Sequence, residues 1–113
     1  MPWYFSPHTG GKKIPPTEHA KIQHRVDAYA ATRPWSKSHK LQLRFRGQFC
    51  YVDEIEKDGT TSPLGRLRYF HLSNWSLDFY TYSNEKYTPC TLLTGKETGS
   101  LEECIAACEL YLL

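Results

Sequence analysis

Four arginines fall in two pairs with one residue between the members: Arg44 and Arg46, then Arg66 and Arg68. In an extended chain successive side chains point to opposite faces, so each pair leaves its strand on one side. Leu41, Leu43 and Phe45 alternate with Gln42, Arg44 and Arg46, and Leu67, Tyr69 and His71 alternate with Arg66, Arg68 and Phe70. If the apolar parities of both strands face one core, all four guanidinium groups emerge from the opposite face. Planar guanidinium forks bind phosphate bidentately. Tyr80 and Tyr82 share the polar parity of a later strand, and their rings could stack on nucleobases. The competing reading is a solvated face whose arginine stems cover apolar surface. Asp78 is on the same parity and available to pair with one of them.

Charge along the chain points the same way. Residues 1–50 carry nine Lys/Arg and two Asp/Glu, whereas residues 51–113 carry five and ten. Four of the five histidines, His8, His19, His24 and His39, also lie in the basic half. Such asymmetry is what a surface for an anionic partner requires. Lys12 and Lys13 follow Gly10-Gly11; glycines let backbone amides approach a phosphate and lysines add point charge. The spacing is not that of a phosphate-binding loop, so a basic arm is the preferred account. Lys21 and Arg25 extend the positive charge onto the first helix.

Acid–base chemistry has fewer footholds. His19 and His24 are five apart, about 140° around a helix, and cannot share a metal on one face. His8 and His71 are the candidate acids or bases for a hydrolytic site. Asp53, Glu54, Glu56 and Asp58 cluster around a turn, the usual composition of a solvated face. The four cysteines, Cys50, Cys90, Cys104 and Cys108, lack zinc-finger spacing. They are expected to be free thiols, with no metal and no cofactor. Met1 to Phe5 lacks the pattern of a secretion signal, and no apolar run approaches the ~18 residues of a membrane span. A cytoplasmic setting is expected.

The elements that must position these groups can be read from periodicity. Residues 1–16, with Pro2, Pro7, Pro15 and Pro16, form an extended basic arm whose Trp3, Tyr4 and Phe5 should dock on the body of the domain. A single domain follows over 17–113. Its first helix starts near Thr17 as N-cap and buries Ile22, Val26 and Tyr29. It ends by about Arg33, before Pro34. Strands are expected over 40–46, 48–55, 64–72 and 75–82, with a short edge strand over 87–93 limited by Pro89. Ser100-x-x-Glu103 is a capping box that opens a last helix, with Leu101, Cys104, Ile105, Cys108, Tyr111 and Leu112 on its apolar face. The fold class is α+β: an antiparallel sheet of three to five strands with an N-terminal and a C-terminal helix packed on one face.

Three resemblances attach to these segments. The helix–strands–helix order over 17–113 resembles the topology of double-stranded-RNA-binding domains, which implies RNA as a partner. His8 to Ile22, with Gly10-Gly11-Lys12-Lys13-Ile14-Pro15-Pro16 before a helix, resembles the closing segment of small mRNA-cleaving toxins of the HicA type. Arg44-Phe45-Arg46-Gly47, Arg66 to Phe70, Trp75 with Phe79 to Ser83, Glu85-Lys86-Tyr87 and the closing helix resemble an uncharacterised family of small bacterial proteins. That last resemblance implies a bacterial cytoplasmic setting.

The function these readings favour is a small non-enzymatic module that binds an anionic partner, above all DNA or RNA. Binding would use Lys12, Lys13, Lys21, Arg25, Arg44, Arg46, Arg66 and Arg68, with Tyr80 and Tyr82 stacking. A joint Arg44→Ala and Arg66→Ala change is expected to weaken binding without unfolding the chain. The rivals are an adaptor that docks on an acidic protein or self-associates, and a small ribonuclease using His8 or His71.

Overall fold

Pro15 and Pro16 set where the first helix starts. Proline pre-forms the φ angle of the first helical turn and lacks an N–H that would otherwise be unpaired there. Helix α1 accordingly runs Pro16–Ala31, with Pro15 rather than Thr17 as the flanking residue and no side-chain cap. The computed structural model describes residues 8–112. The docking expected for Trp3, Tyr4 and Phe5, and the Tyr111 side chain, lie outside the described residues. Ile22 and Val26 are buried on the inner face of α1, and Tyr29 packs beside them. Pro34 does not simply end the helix; it starts a 3-10 turn, Pro34–Lys37.

Five strands follow as a meander. They are β1 (Lys40–Arg46), β2 (Phe49–Ile55), β3 (Thr61–His71), β4 (Asn74–Thr81) and β5 (Lys86–Cys90), hydrogen-bonded in sequence order and all antiparallel. A two-residue strand, β6 (Thr98–Gly99), pairs with Trp75 and Ser76 of β4, where β5 has stopped. Strand β3 begins three residues before the expected Leu64. Thr61, Ser62 and Pro63 pair with Ile55, Glu54 and Asp53, and the register then shifts. The shift leaves Leu64 as an inserted residue, and Pro63 is tolerated because it sits beside that irregularity. It also explains why Leu64 and Leu67, three apart, are both buried.

Helix α2 (Leu101–Cys108) begins where the capping box requires. The Ser100 hydroxyl accepts from the Glu103 N–H at 3.1 Å, and the Ser100 N–H donates to Glu103 Oε1 at 2.9 Å. A 3-10 turn, Glu109–Tyr111, follows. Helix α2 lies over β3 and β4, and α1 packs beside it towards β1, so both helices cover one face of the sheet. Between them and the sheet lie Leu43, Val52, Leu67, Trp75, Leu77 and Ile105, all buried. Cys50, Cys104 and Cys108 are buried in the same layer as small apolar groups, and all four cysteines are free. Ile14 is also part of this core at 1% exposure, so the chain is packed against the body of the domain two residues before the helix begins. Among the described residues no helix is long and apolar enough to cross a membrane.

Candidate nucleic-acid interface

With the helices on one face, strand parity puts Arg44, Arg46, Phe49, Tyr51, Asp53, Arg66, Arg68, Ser76, Asp78 and Tyr80 on the other. The register orders them into two rows across the sheet. Arg44, Tyr51, Arg66 and Asp78 stand directly opposite one another in turn, and so do Arg46, Phe49, Arg68 and Ser76.

The first row is closed by ion pairs. Arg44 donates through Nε and Nη2 to the two oxygens of Asp53, at 2.6 and 3.3 Å. Arg66 donates through Nε and Nη2 to Asp78 Oδ2, at 3.1 and 2.8 Å. Both aspartates are buried. Hydrogen bonding to Asp53 raises the Arg44 pKa against its partial burial, so this guanidinium stays charged and held in place. Aromatic rings then pack on the guanidinium planes. Arg44 lies over Tyr51 at 4.9 Å, and Arg66 lies over both Phe49 and Tyr87, at 4.2 and 5.1 Å. Tyr87 reaches from β5 back over the first row to meet Tyr51 edge-on at 5.4 Å. Tyr80 and Tyr82 continue the ring series at 5.1 and 4.9 Å. Arginine–ring contacts of this kind contribute about 0.5–1 kcal/mol each where exposed and more where desolvated.

The second row keeps its charge. Arg68 is only 8% exposed. Its plane covers Phe49 at 4.7 Å, and Nη1 donates to the Gly10 carbonyl at 2.7 Å. Burial lowers its pKa, Asp78 counters that, and Arg66 adds to it. Its Nε and the Oγ of its cross-strand neighbour Ser76 are buried without hydrogen-bond partners among the described residues. Arg46 is exposed at the end of β1. Lys12 and Lys13 join this end of the sheet through the backbone: Lys12 N–H donates to Tyr69 O at 2.8 Å and Ile14 N–H to Gly47 O at 2.9 Å. Gly11 makes that docking fit, because a Cβ there would stand 2.9 Å from Tyr69 O, and its φ is +101°.

The arm also brings His8 to the face. Its Nδ1 lies 3.2 Å from Asp78 Oδ1, the oxygen that Arg66 does not use. The other histidines go elsewhere. His19 stacks on Phe45 at 4.0 Å, His39 pairs with Glu54, and His71 is an exposed neighbour of Ser73.

The remaining site residues anticipated from sequence are separate from this face. Arg25, on α1, donates Nε and Nη2 to Glu102 of α2 at 3.0 and 2.6 Å, and Lys21 lies 3.7 Å from Glu18. Arg33 likewise pairs with Glu109. Much of the charge split is therefore spent inside the molecule, because the fold lays the basic first half against the acidic second half. Tyr82 lies one residue past β4 and is 63% exposed, its hydroxyl donating to Pro63 O at 2.9 Å. Phe49, Tyr51 and Tyr87 belong to the face although the sequence did not single them out. The Phe49–Val52 run is apolar at every position, so alternation gives no contrast there. Only the parity inherited from Arg46 across the Gly47-Gln48 turn marks Phe49 and Tyr51 as outward.

At the far end of β2 the polarity reverses. A cavity of ≈ 630 Å³ there is lined by Glu54, Glu56, Tyr80 and Tyr82 among others, and its carboxylates make it unfit for a phosphate. Among the described residues no three His, Cys, Asp or Glu side chains converge as a metal site. No protein-family model, curated protein or solved structure matches the chain.

Proposed function

We propose that this protein binds single-stranded nucleic acid across the helix-free face of its sheet. The observation that carries the reading is the charge left after internal pairing. Arg44 and Arg66 are neutralised by Asp53 and Asp78, whereas Arg46, Arg68, Lys12 and Lys13 have no carboxylate partner among the described residues. They gather at one end of a surface of aromatic rings. A single strand offers unstacked bases to rings and a phosphate chain to cations, and duplexes offer no free base faces. In this reading the paired arginines hold the rings in place. The exposed unpaired cations, Arg46, Lys12 and Lys13, meet the backbone, and Tyr80 with the exposed Tyr82 supplies stacking surface. Fluorescence anisotropy of labelled single- and double-stranded DNA and RNA across a salt series tests it. Tighter binding of single strands, falling with salt, supports the reading, and equal or no binding at low salt removes it.

Self-association is the second reading, favoured by one observation. The basic end at Arg46 and the acidic cavity at Glu54 and Glu56 lie at opposite ends of β2, about 20 Å apart at 3.4 Å per residue. Head-to-tail contact between copies would match them. A mass that rises with protein concentration and falls with salt would favour it.

A further inference from the structure

We propose that His8 makes the nucleic-acid face a ribonuclease site, cleaving single-stranded RNA by attack of its own 2′-hydroxyl. The inference rests on the binding reading above and adds a reaction to it. Its starting point is the division of labour at Asp78. One carboxylate oxygen holds Arg66, and the other lies 3.2 Å from His8 Nδ1. With Nδ1–H directed at a buried carboxylate, the neutral ring carries its lone pair on Nε2, and its orientation is fixed by the same contact. A held imidazole whose Nε2 makes no hydrogen bond among the described residues is the group a general base requires.

Cationic N–H groups stand beside it. Arg66 uses Nε and Nη2 on Asp78, and its Nη1 has no hydrogen bond among the described residues. Arg68 follows on the same parity of β3, its Nε buried and without a hydrogen-bond partner among the described residues. A phosphate drawn to this corner would meet Arg66, already oriented by rings and Asp78, with the charge of Arg68 behind it, which is how charge developing on phosphoryl oxygens is stabilised.

Among the described residues Ser76, the serine of the second row, is fully buried, and the cysteines lie in the helix-covered layer rather than on this face, so neither offers an attacking group here. RNA supplies the missing part. His8 Nε2 takes the proton of the 2′-hydroxyl, and the 2′-oxygen forms a bond to the adjacent phosphorus. The bond from phosphorus to the 5′-oxygen breaks. The departing oxygen takes a proton from water, and the imidazolium returns its proton to solvent. The products are a 2′,3′-cyclic phosphate and a 5′-hydroxyl, with no change of oxidation state and no co-reactant. DNA, which has no 2′-hydroxyl, would be bound and left intact.

The test uses the full chain with a labelled single-stranded RNA and the same sequence in DNA, measuring binding by anisotropy and products by gel and mass spectrometry. Wild type is expected to leave cyclic-phosphate ends on RNA only. His8→Ala, prepared in parallel, should lose about 100-fold or more of the rate while binding the DNA strand as wild type does, and added imidazole should restore part of it. His71→Ala should cleave normally. RNA that is bound but uncut, or cut equally by His8→Ala, overturns the inference and leaves the binding reading standing. Failure to bind either strand overturns both.

Discussion

Asp78 is shared: Arg66 takes one of its oxygens and His8 the other. The aspartate is 2% exposed, so these side chains, rather than water, satisfy its oxygens. The arrangement ties β3, β4 and the N-terminal segment together on the face that carries no helix. It also changes what an arginine-removal experiment measures.

From sequence, a joint Arg44→Ala and Arg66→Ala change looks like a clean loss of binding. The ion pairs alter that expectation. Removing both arginines leaves the buried Asp53 without its ion pair and Asp78 with His8 alone, and breaking a buried pair costs up to about 3–5 kcal/mol, less at Asp53, whose arginine is half exposed. The double variant should unfold at much lower urea, whereas Arg46→Ala should stay within about 0.5 kcal/mol of wild type. Urea unfolding followed by tryptophan fluorescence distinguishes them.

The two helices are joined by Arg25 and Glu102, each about a third exposed. Burial raises the Glu102 pKa, but the hydrogen bonds and charge of Arg25 outweigh that, and the carboxyl ends below its ordinary value of 4.5. A folded-state pKa below the unfolded one gives stability that is present above the unfolded value and lost as pH falls through the folded value. Glu102→Gln should therefore flatten part of the stability loss below about pH 4.5, and should cost about 1 kcal/mol or less at neutral pH. Thermal unfolding of both proteins across that pH range is the check.

Ser100 caps α2, whose eight residues are too few to be stable alone. Ser100→Ala should cost about 1 kcal/mol, and Ser100→Thr, which keeps the hydroxyl, should cost less. Denaturant midpoints at a constant m-value report the difference.

Gly11 lets residues 8–14 lie against the ends of β2 and β3. A Cβ there meets backbone at 2.9 Å in a left-handed conformation, so Gly11→Ala should lift this segment while leaving the sheet folded. Faster proteolysis near Lys12 and Lys13, with far-UV circular dichroism unchanged, is the expected outcome. Loss of the His8–Asp78 contact should accompany it, visible as a changed His8 imidazole resonance by NMR.

How far the sequence reaches is clear from particular residues. Alternation through Leu41 to Arg46 and Leu67 to Phe70 placed the arginines on one face, because a strand has only two. Ser100 and Glu103 named their helix start, because a capping box is local chemistry. Parity also named Asp78 as available to pair with one of the arginines, and it holds Arg66 through the β3–β4 register. Asp53, the partner of Arg44, was not legible, because it is diagonal to it across a hairpin. The start of β3 was missed because the insertion at Leu64 breaks the alternation that marks a strand. Strand β6 has two residues, too few to show any period. The charge split was plain in the sequence, but its use in Arg25–Glu102 and Arg33–Glu109 depends on contacts more than 70 residues apart.

On the proposed function, the unpaired cations and the rings of the helix-free face together hold a single strand. The direct measurement is anisotropy of a labelled single-stranded oligonucleotide across a salt series, with wild type, a Lys12→Ala/Lys13→Ala/Arg46→Ala variant, and Tyr80→Ala. Wild type should show a slope of log K against log salt of about −2, for three phosphates met by Lys12, Lys13 and Arg46. The triple variant should show a slope near zero, and Tyr80→Ala about 1–3 kcal/mol weaker binding at unchanged slope. Wild-type affinity and slope in the triple variant would contradict it.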